Sequence, residues 1–152
     1  MPHDFNIQDF LNAIVTQDAE KLRTFFEPDA DIVWSNTNEQ FTVDEYIRAN
    51  CEYPGTWQGE IESIDIIKND GWGDQRVVFV ARVWDDNGFV ARTTSFIDFG
   101  DTEHELIQDL VEYWSVPSKP PQWRKDMKIG KRWITDAQGK FVGMENTGDV
   151  EV

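Results

Sequence analysis

Apolar positions recur at helical spacing through the first third of the chain, and from residue 57 to residue 116 they fall in β-branched runs with apolar side chains in both parities. Ile7, Phe10, Leu11, Ile14 and Val15 share one face of a 3.6-residue period, which predicts an amphipathic helix over about 6–17. Asn6 is placed to cap it, with Asp9 in its first turn. Asp18 caps a second, short helix carrying Leu22, Phe25 and Phe26, which Pro28 stops. "DADIVW" then reads as a strand at about 30–36. Thr42 and Glu45 have capping-box spacing for a third helix running to about Tyr53, ended by Pro54-Gly55.

Beyond Trp57 the period changes. "GEIESIDIIK", "QRVVFVARVWDD", "FVARTTSFIDF" and "ELIQDLVEYWSV" read as four β-rich strands, with "DDNG" as a hairpin turn. Helices followed by antiparallel strands predict an α+β domain, with the helices gathered on one face of the sheet. After Val116, "PSKPPQW" breaks the pattern. "KRWITDAQGKFVGM" predicts a small hairpin around Asp136–Gly139, and "ENTGDVEV" reads as an acidic tail.

Charge and composition narrow the partners. The 152 residues suit one domain, and seven Trp with ten Phe argue against disorder. A formal charge of −15 repels phosphate backbones and anionic headgroups, so neither nucleic acid nor a membrane surface is an expected partner. The single cysteine, Cys51, rules out an intrachain disulfide and is compatible with a reducing cytosol. "MPHDFNIQDF" lacks the pattern of a secretory signal, and no apolar run approaches the ~20 residues of a membrane span. The expectation is a cytoplasmic domain.

Asp18, Leu22, Phe25, Phe26, Pro28, Asp29 and Ala30, in "DAEKLRTFFEPDADIVW", match an Asp-x-x-x-Leu-x-x-Phe-Phe-x-Pro-Asp-Ala run that leads into a first strand. "EYWSVPSKPPQWR" is similar to the last strand and Pro-x-Trp-Arg ending of the same proteins. The chain thus resembles the nuclear transport factor 2-like superfamily, specifically its SnoaL-like group, named after a polyketide cyclase, over about residues 5–124. The resemblance implies a cystatin-like cone in which three N-terminal helices pack on a strongly curved antiparallel sheet, its open end admitting a ligand. Residues 1–124 would form that domain and 125–152 a C-terminal extension. The fold hosts isomerases, cyclases, hydrolases, dehydratases and plain binding modules, so it does not settle an activity.

Ile32, Trp34 and Asn36 share strand parity, and an amide ends an otherwise apolar row. The resemblance places Trp34 and Asn36 on the cone wall. Asn50 shares the inward face of the third helix with Val43, Tyr46, Ile47 and Cys51; unpaired burial would cost roughly 1–3 kcal/mol, so it needs a structural hydrogen bond or a ligand. Cys51 reads as a small buried hydrophobe rather than a nucleophile. Arg82 and Trp84 share a strand face with Val78 and Val80. An Arg there must meet a carboxylate, a ligand anion or solvent at the sheet edge; Glu112, which interrupts Leu110 and Trp114, is the natural partner. Tyr113 lies on the other face of the last strand with Val111 and Ser115, and which face is concave stays open.

Compared with limonene epoxide hydrolases of this fold, Trp34 and Asn36 resemble the water-holding Tyr-x-Asn pair, and Arg82 falls near their Arg. Trp84 and Ser115 stand where the two acids would be, so that mechanism lacks its base. The remaining candidate bases are Glu52, Asp109 and Glu112, with Tyr113 as a hydrogen-bond donor. His3 lies at the terminus, and the Glu neighbours of His104 in "EHE" would face away from it, so no metal site is expected, and no cofactor.

Three readings follow. The chain binds a small, largely hydrophobic ligand in a cone lined by Trp34, Asn36, Asn50, Arg82, Trp84 and Tyr113. Or it is a cofactor-independent isomerase, cyclase or hydrolase; or it is a dimeric interaction module. A homodimer burying more than roughly 1,000 Å² is expected, because Phe79, Ala81 and Val83 on one face and Val78, Val80 and Trp84 on the other all need cover. The rival cover for the outer face is the C-terminal extension, with Trp123 and Trp133.

Overall fold

A computed structural model describes residues 5–68, 75–100 and 106–146. His3, His104 and the end of the acidic tail lie outside them. Three helices open the chain: α1 (Ile7–Val15), α2 (Ala19–Arg23) and α3 (Val43–Cys51). Each begins at the side chain that the spacing nominates. Asn6 accepts from the Asp9 N–H, Asp18 from the Lys21 N–H, and Thr42 with Glu45 completes a capping box.

The second helix is shorter than the apolar spacing suggests. It stops at Arg23, and Phe26 already opens strand β1 (Phe26–Trp34). The cause is tertiary. Phe26 pairs with Ile107 and Asp31 with Asp109, and Pro28 sits in the intervening register shift, where its missing N–H breaks no regular ladder. A three-residue strand, β2 (Glu39–Phe41), pairs with the end of β1 across a turn that puts Asn38 at φ 55. Its polar, aperiodic residues carried no strand signal.

The main sheet is completed by β3 (Trp57–Lys68), β4 (Gln75–Asp85), β5 (Val90–Phe99) and β6 (Ile107–Ser115), in the order β2-β1-β6-β5-β4-β3. Neighbours from β3 to β6 are antiparallel, but β1 and β6 run parallel. The sheet is therefore mixed, not wholly antiparallel as expected. Nothing in the pattern of β3–β6 states their direction relative to a strand placed before α3.

One face of the sheet packs on the helices. Val77, Phe79, Ala81 and Val83 of β4 are buried there with Phe10, Leu11, Leu22, Ile32, Tyr46 and Leu110. Phe10 meets Phe25 at 5.2 Å and Phe79 at 6.2 Å in edge-on contacts, which adds ring geometry to area burial. This concave side sets the parity of every strand, so even-numbered residues of β4 face outward.

A fourth helix, α4 (Gln122–Asp126), and a hairpin of β7 (Lys131–Thr135) and β8 (Phe141–Asn146) follow the sheet, giving four helices and eight strands among the described residues. The Asp136 carboxylate accepts from the backbone N–H groups of Gln138 and Lys140 and closes the turn. That turn rests on the outer sheet face: Arg82 Nε donates to the Gln138 carbonyl and Arg92 to the Gly139 carbonyl, each at 2.8 Å. Among the described residues no helix is long and apolar enough to cross a membrane.

Candidate functional site

A cavity of about 280 Å³ opens between α1, the end of α3 and the rim of the curved sheet. Trp34, Trp57 and Trp114 wall it, with Ile14, Val83 and Ala91 between them. Gln17, Asn36, Thr37, Glu39 and Asn50 supply its polar groups, and among the described residues no Lys or Arg side chain lines it. Trp34 is positioned as strand parity requires, beyond fully buried Ile32. Asn36 arrives differently. It lies past the end of β1 in the turn over residues 35–38, so a turn and not a strand face brings it to the cavity.

Asn50 has a structural role as well as a place on the wall. Its Nδ2 donates to the Ile14 carbonyl at 3.0 Å, tying α3 to the end of α1. Gln17 closes the same junction, donating to the carbonyls of Asn50 at 2.9 Å and Tyr53 at 2.6 Å. Gln17 and Glu39 were not singled out from the sequence. Gln17 sits at φ 56 just past a helix, where its side chain turns back across the chain, and no spacing reports that.

Behind the Trp wall lies a buried carboxylate. Glu112 is 1% exposed; its Oε1 accepts from Trp34 Nε1 at 3.2 Å and its Oε2 from Ser95 Oγ at 2.8 Å. Register explains the partners, since Trp34 and Ser95 are the residues paired with Glu112 on its two neighbouring strands. Burial pushes this carboxyl above its ordinary range, and hydrogen bonds from Ser95, Trp34, Trp114 and Thr93 pull it part-way back. The Tyr46 hydroxyl is also buried and has no hydrogen-bond partner. Burial first, then the charge of Glu112, pushes that phenol well up.

Arg82 does not meet Glu112. The two side chains project from opposite faces of the sheet, because the concave parity of β4 is odd and that of β6 is even. Arg82 is salt-bridged to Glu60 at 3.1 Å and Glu62 at 2.9 Å on neighbouring β3. Its guanidinium lies 5.3 Å from the Trp84 ring, so both residues belong to the outer face and neither lines the cavity. Glu60 and Glu62 lie two residues apart and so share one face of β3, with a register shift between Ile61 and Ser63.

The other nominated groups also lie away from the cavity. Tyr113 is half exposed on the outer face, its ring 5.8 Å from Phe96. Asp109 is outward too, in register with Asp31 and Asp98; burial and then those two charges push its carboxyl up. Glu52 caps the C-terminus of α3 and pairs with Arg48 at 3.0 Å on the surface. Of the four candidate acids and donors, Glu112 alone faces the concave side. Among the described residues no group of three His, Cys, Asp or Glu side chains is placed to hold a metal ion.

No family model and no curated protein matches the sequence. Solved structures match its architecture. A ketosteroid isomerase-like protein from Kribbella flavida DSM 17836 superposes with a TM-score of 0.63 over 90% of this chain and 92% of its own, at 16% identity. A protein of cystatin-like fold from Methylobium petroleophilum PM1 matches at 0.59, over 74% of each chain and at 14% identity. This chain has the nuclear transport factor 2-like fold. The Orange Carotenoid Protein of Anabaena (Nostoc) sp. PCC 7120, solved with canthaxanthin, contains a similar unit: TM-score 0.58 and 13% identity, with 74% of this chain covering 37% of that one. Structures of the nuclear transport factor 2-like fold similar to this one thus include an isomerase-like protein and a carotenoid-binding protein.

Within that fold the cavity is a Trp-walled slot with a polar lip. Trp34 turns its indole N–H to Glu112, so ring carbon is what it leaves for the cavity side. That hydrogen bond to a buried carboxylate holds the Trp34 ring in place without a ligand, a pre-organised wall of the kind small-molecule sites use.

Proposed function

We propose that this nuclear transport factor 2-like domain, read as SnoaL-like from its "FFEPDA" segment, binds a small, flat, largely hydrophobic molecule. The rings stack against Trp34 and Trp114, and one neutral or cationic polar group meets the Asn36 and Glu39 lip. The observation that carries this reading is the Trp-walled cavity whose Trp34 ring is held from behind by Glu112. A cationic or neutral group is favoured because the lip offers Glu39 and, among the described residues, no basic side chain, and because the charge of −15 repels anions.

A cofactor-independent isomerase, cyclase or hydrolase is the second reading. One observation favours it: the concave side carries a carboxylate whose affinity for protons is raised by burial, as a general base requires. Against it, Glu112 is held by Trp34 and Ser95 and does not itself line the cavity. The binding reading accounts for the same carboxylate as a positioning residue.

Titration with 2-naphthol, a flat neutral bicycle with one hydroxyl, tests the proposal by fluorescence and calorimetry. Saturable one-site binding is expected, weakened at least tenfold in Trp114→Leu while Tyr113→Phe, on the outer face, stays within twofold. Equal affinity in the two variants, or no saturable binding, overturns the cavity as the site.

A further inference from the structure

The polar groups of the cavity share one hydrogen-bond direction. Gln17 commits its amide nitrogen to the carbonyls of Asn50 and Tyr53, and Asn50 commits its own to the Ile14 carbonyl. Such partners fix which end of each amide faces them, because only the nitrogen can donate to a carbonyl. What these two amides have left to offer a ligand is therefore oxygen. Glu39 adds a carboxylate, which only accepts when ionised. It is exposed at the rim and pairs across the strands with Trp34, so the two side chains stand on the same side of the sheet.

The rings carry the same sign. Trp34 gives its indole N–H to Glu112 and Trp57 gives its own to the Pro54 carbonyl, each at 3.2 Å. Trp57 is also the middle of a row of three rings that line the cavity, 5.7 Å from Tyr53 and 5.6 Å from Phe89, both contacts edge-on. With their N–H groups turned into the protein, both indoles keep their electron-rich faces, to which a cation is attracted.

A ligand that suits these surroundings must bring the donors itself. A hydroxyl both donates and accepts, so it uses only part of the set. A carboxylate or phosphate only accepts, and it would meet Glu39 as a like charge. A protonated amine supplies N–H donors and a positive charge on one atom, matching the oxygens and the ring faces together.

Resting on the reading of this cavity as the binding site, we propose that its ligand is a protonated arylalkyl amine. The ring system lies along Trp34, the ammonium donates to Glu39 and to an amide oxygen of the wall, and the indole faces of Trp34 and Trp57 flank the charge. The net charge of −15 draws such a cation toward the protein but does not choose a site for it; the acceptor-rich cavity does.

Calorimetric titration at neutral pH with three probes of one shape tests this: 2-naphthylmethylamine, 2-naphthylmethanol and 2-naphthoate. The amine is expected to bind about tenfold more tightly than the alcohol, and the naphthoate not to saturate. Glu39→Gln should weaken the amine about fivefold and leave the alcohol within about twofold. Glu20→Gln removes the same charge from an exposed position on α2 that does not line the cavity, and it should leave both affinities unchanged. Both side chains are exposed, so far-ultraviolet circular dichroism should not move and certifies the fold. An amine that binds no more tightly than the alcohol overturns the amine assignment. So does an amine affinity that falls equally in Glu39→Gln and Glu20→Gln, which would make the preference a property of the whole field. In either case, alcohol binding that Trp114→Leu weakens still supports the cavity as the site, whereas saturable binding by none of the three probes overturns both.

Discussion

Replacing Gly139 with Ala tests how the hairpin is seated. Gly139 is buried at φ +78, and a Cβ there would lie 2.3 Å from Val90 Cγ1 and 3.1 Å from Arg82 Cδ. The backbone conformation alone costs an L residue about 1 kcal/mol. The clash adds more, because Val90 is a stiff β-branched side chain at the start of β5 and the nearest atom is not the far end of a long one. The turn therefore lifts. Lifting gives up the bonds from Arg82 and Arg92 to two carbonyls, each nominally about 1.5–3 kcal/mol for a charged donor. Both guanidiniums keep their Glu partners and regain water, so the lower end applies to the pair, about 3 kcal/mol. The penalty of the substitution thus lies between about 1 and 3 kcal/mol, borne by the hairpin and not by the sheet. Gly88 supplies the control: its φ is +86, with nothing within 4 Å of where a Cβ would lie, so Gly88→Ala carries the backbone cost without a clash. Hydrogen exchange followed by mass spectrometry should show residues 131–146 exchanging at least about fivefold faster in Gly139→Ala, with β4 and β5 unchanged. Arm exchange that is the same in Gly139→Ala and Gly88→Ala would refute a seated turn.

Glu112→Gln should change the pH dependence of stability. Burial raises the folded carboxyl above its unfolded value, so the wild type loses stability as pH climbs from the unfolded value through the folded one and then levels off. Gln does not titrate, so the melting-temperature difference, variant minus wild type, should grow upward from about pH 4.5; a difference that shrinks as pH rises contradicts the assignment. Tyr46→Phe removes a buried hydroxyl that has no partner, so it should leave stability unchanged or raise it by up to about 1–3 kcal/mol in urea denaturation, and a loss of that size would mean the hydroxyl is satisfied.

Local chemistry decided much of what could be read in advance. Helix starts at Asn6, Asp18 and Thr42 depend on side chains within three residues, so spacing alone exposes them. The alternation in β4 and β5, and the turn between them, are likewise local. Strand parity also put Trp34 on the side of Ile32, and the helix period put Asn50 beside the core. What parity cannot supply is which side of each strand is inward relative to another. Arg82 and Glu112 are each polar residues in apolar rows, and pairing them was reasonable until β4 turned out odd-inward and β6 even-inward. The real partners of Arg82, Glu60 and Glu62, follow from the β3–β4 register, which sets Glu60 opposite Arg82 with Glu62 two residues along the same face. The parallel seat of β1 beside β6 brought Trp34 to Glu112 across 78 positions of sequence. Only long-range register could create that contact, because the energy that selects it comes from burying the whole concave face at once rather than from any segment by itself.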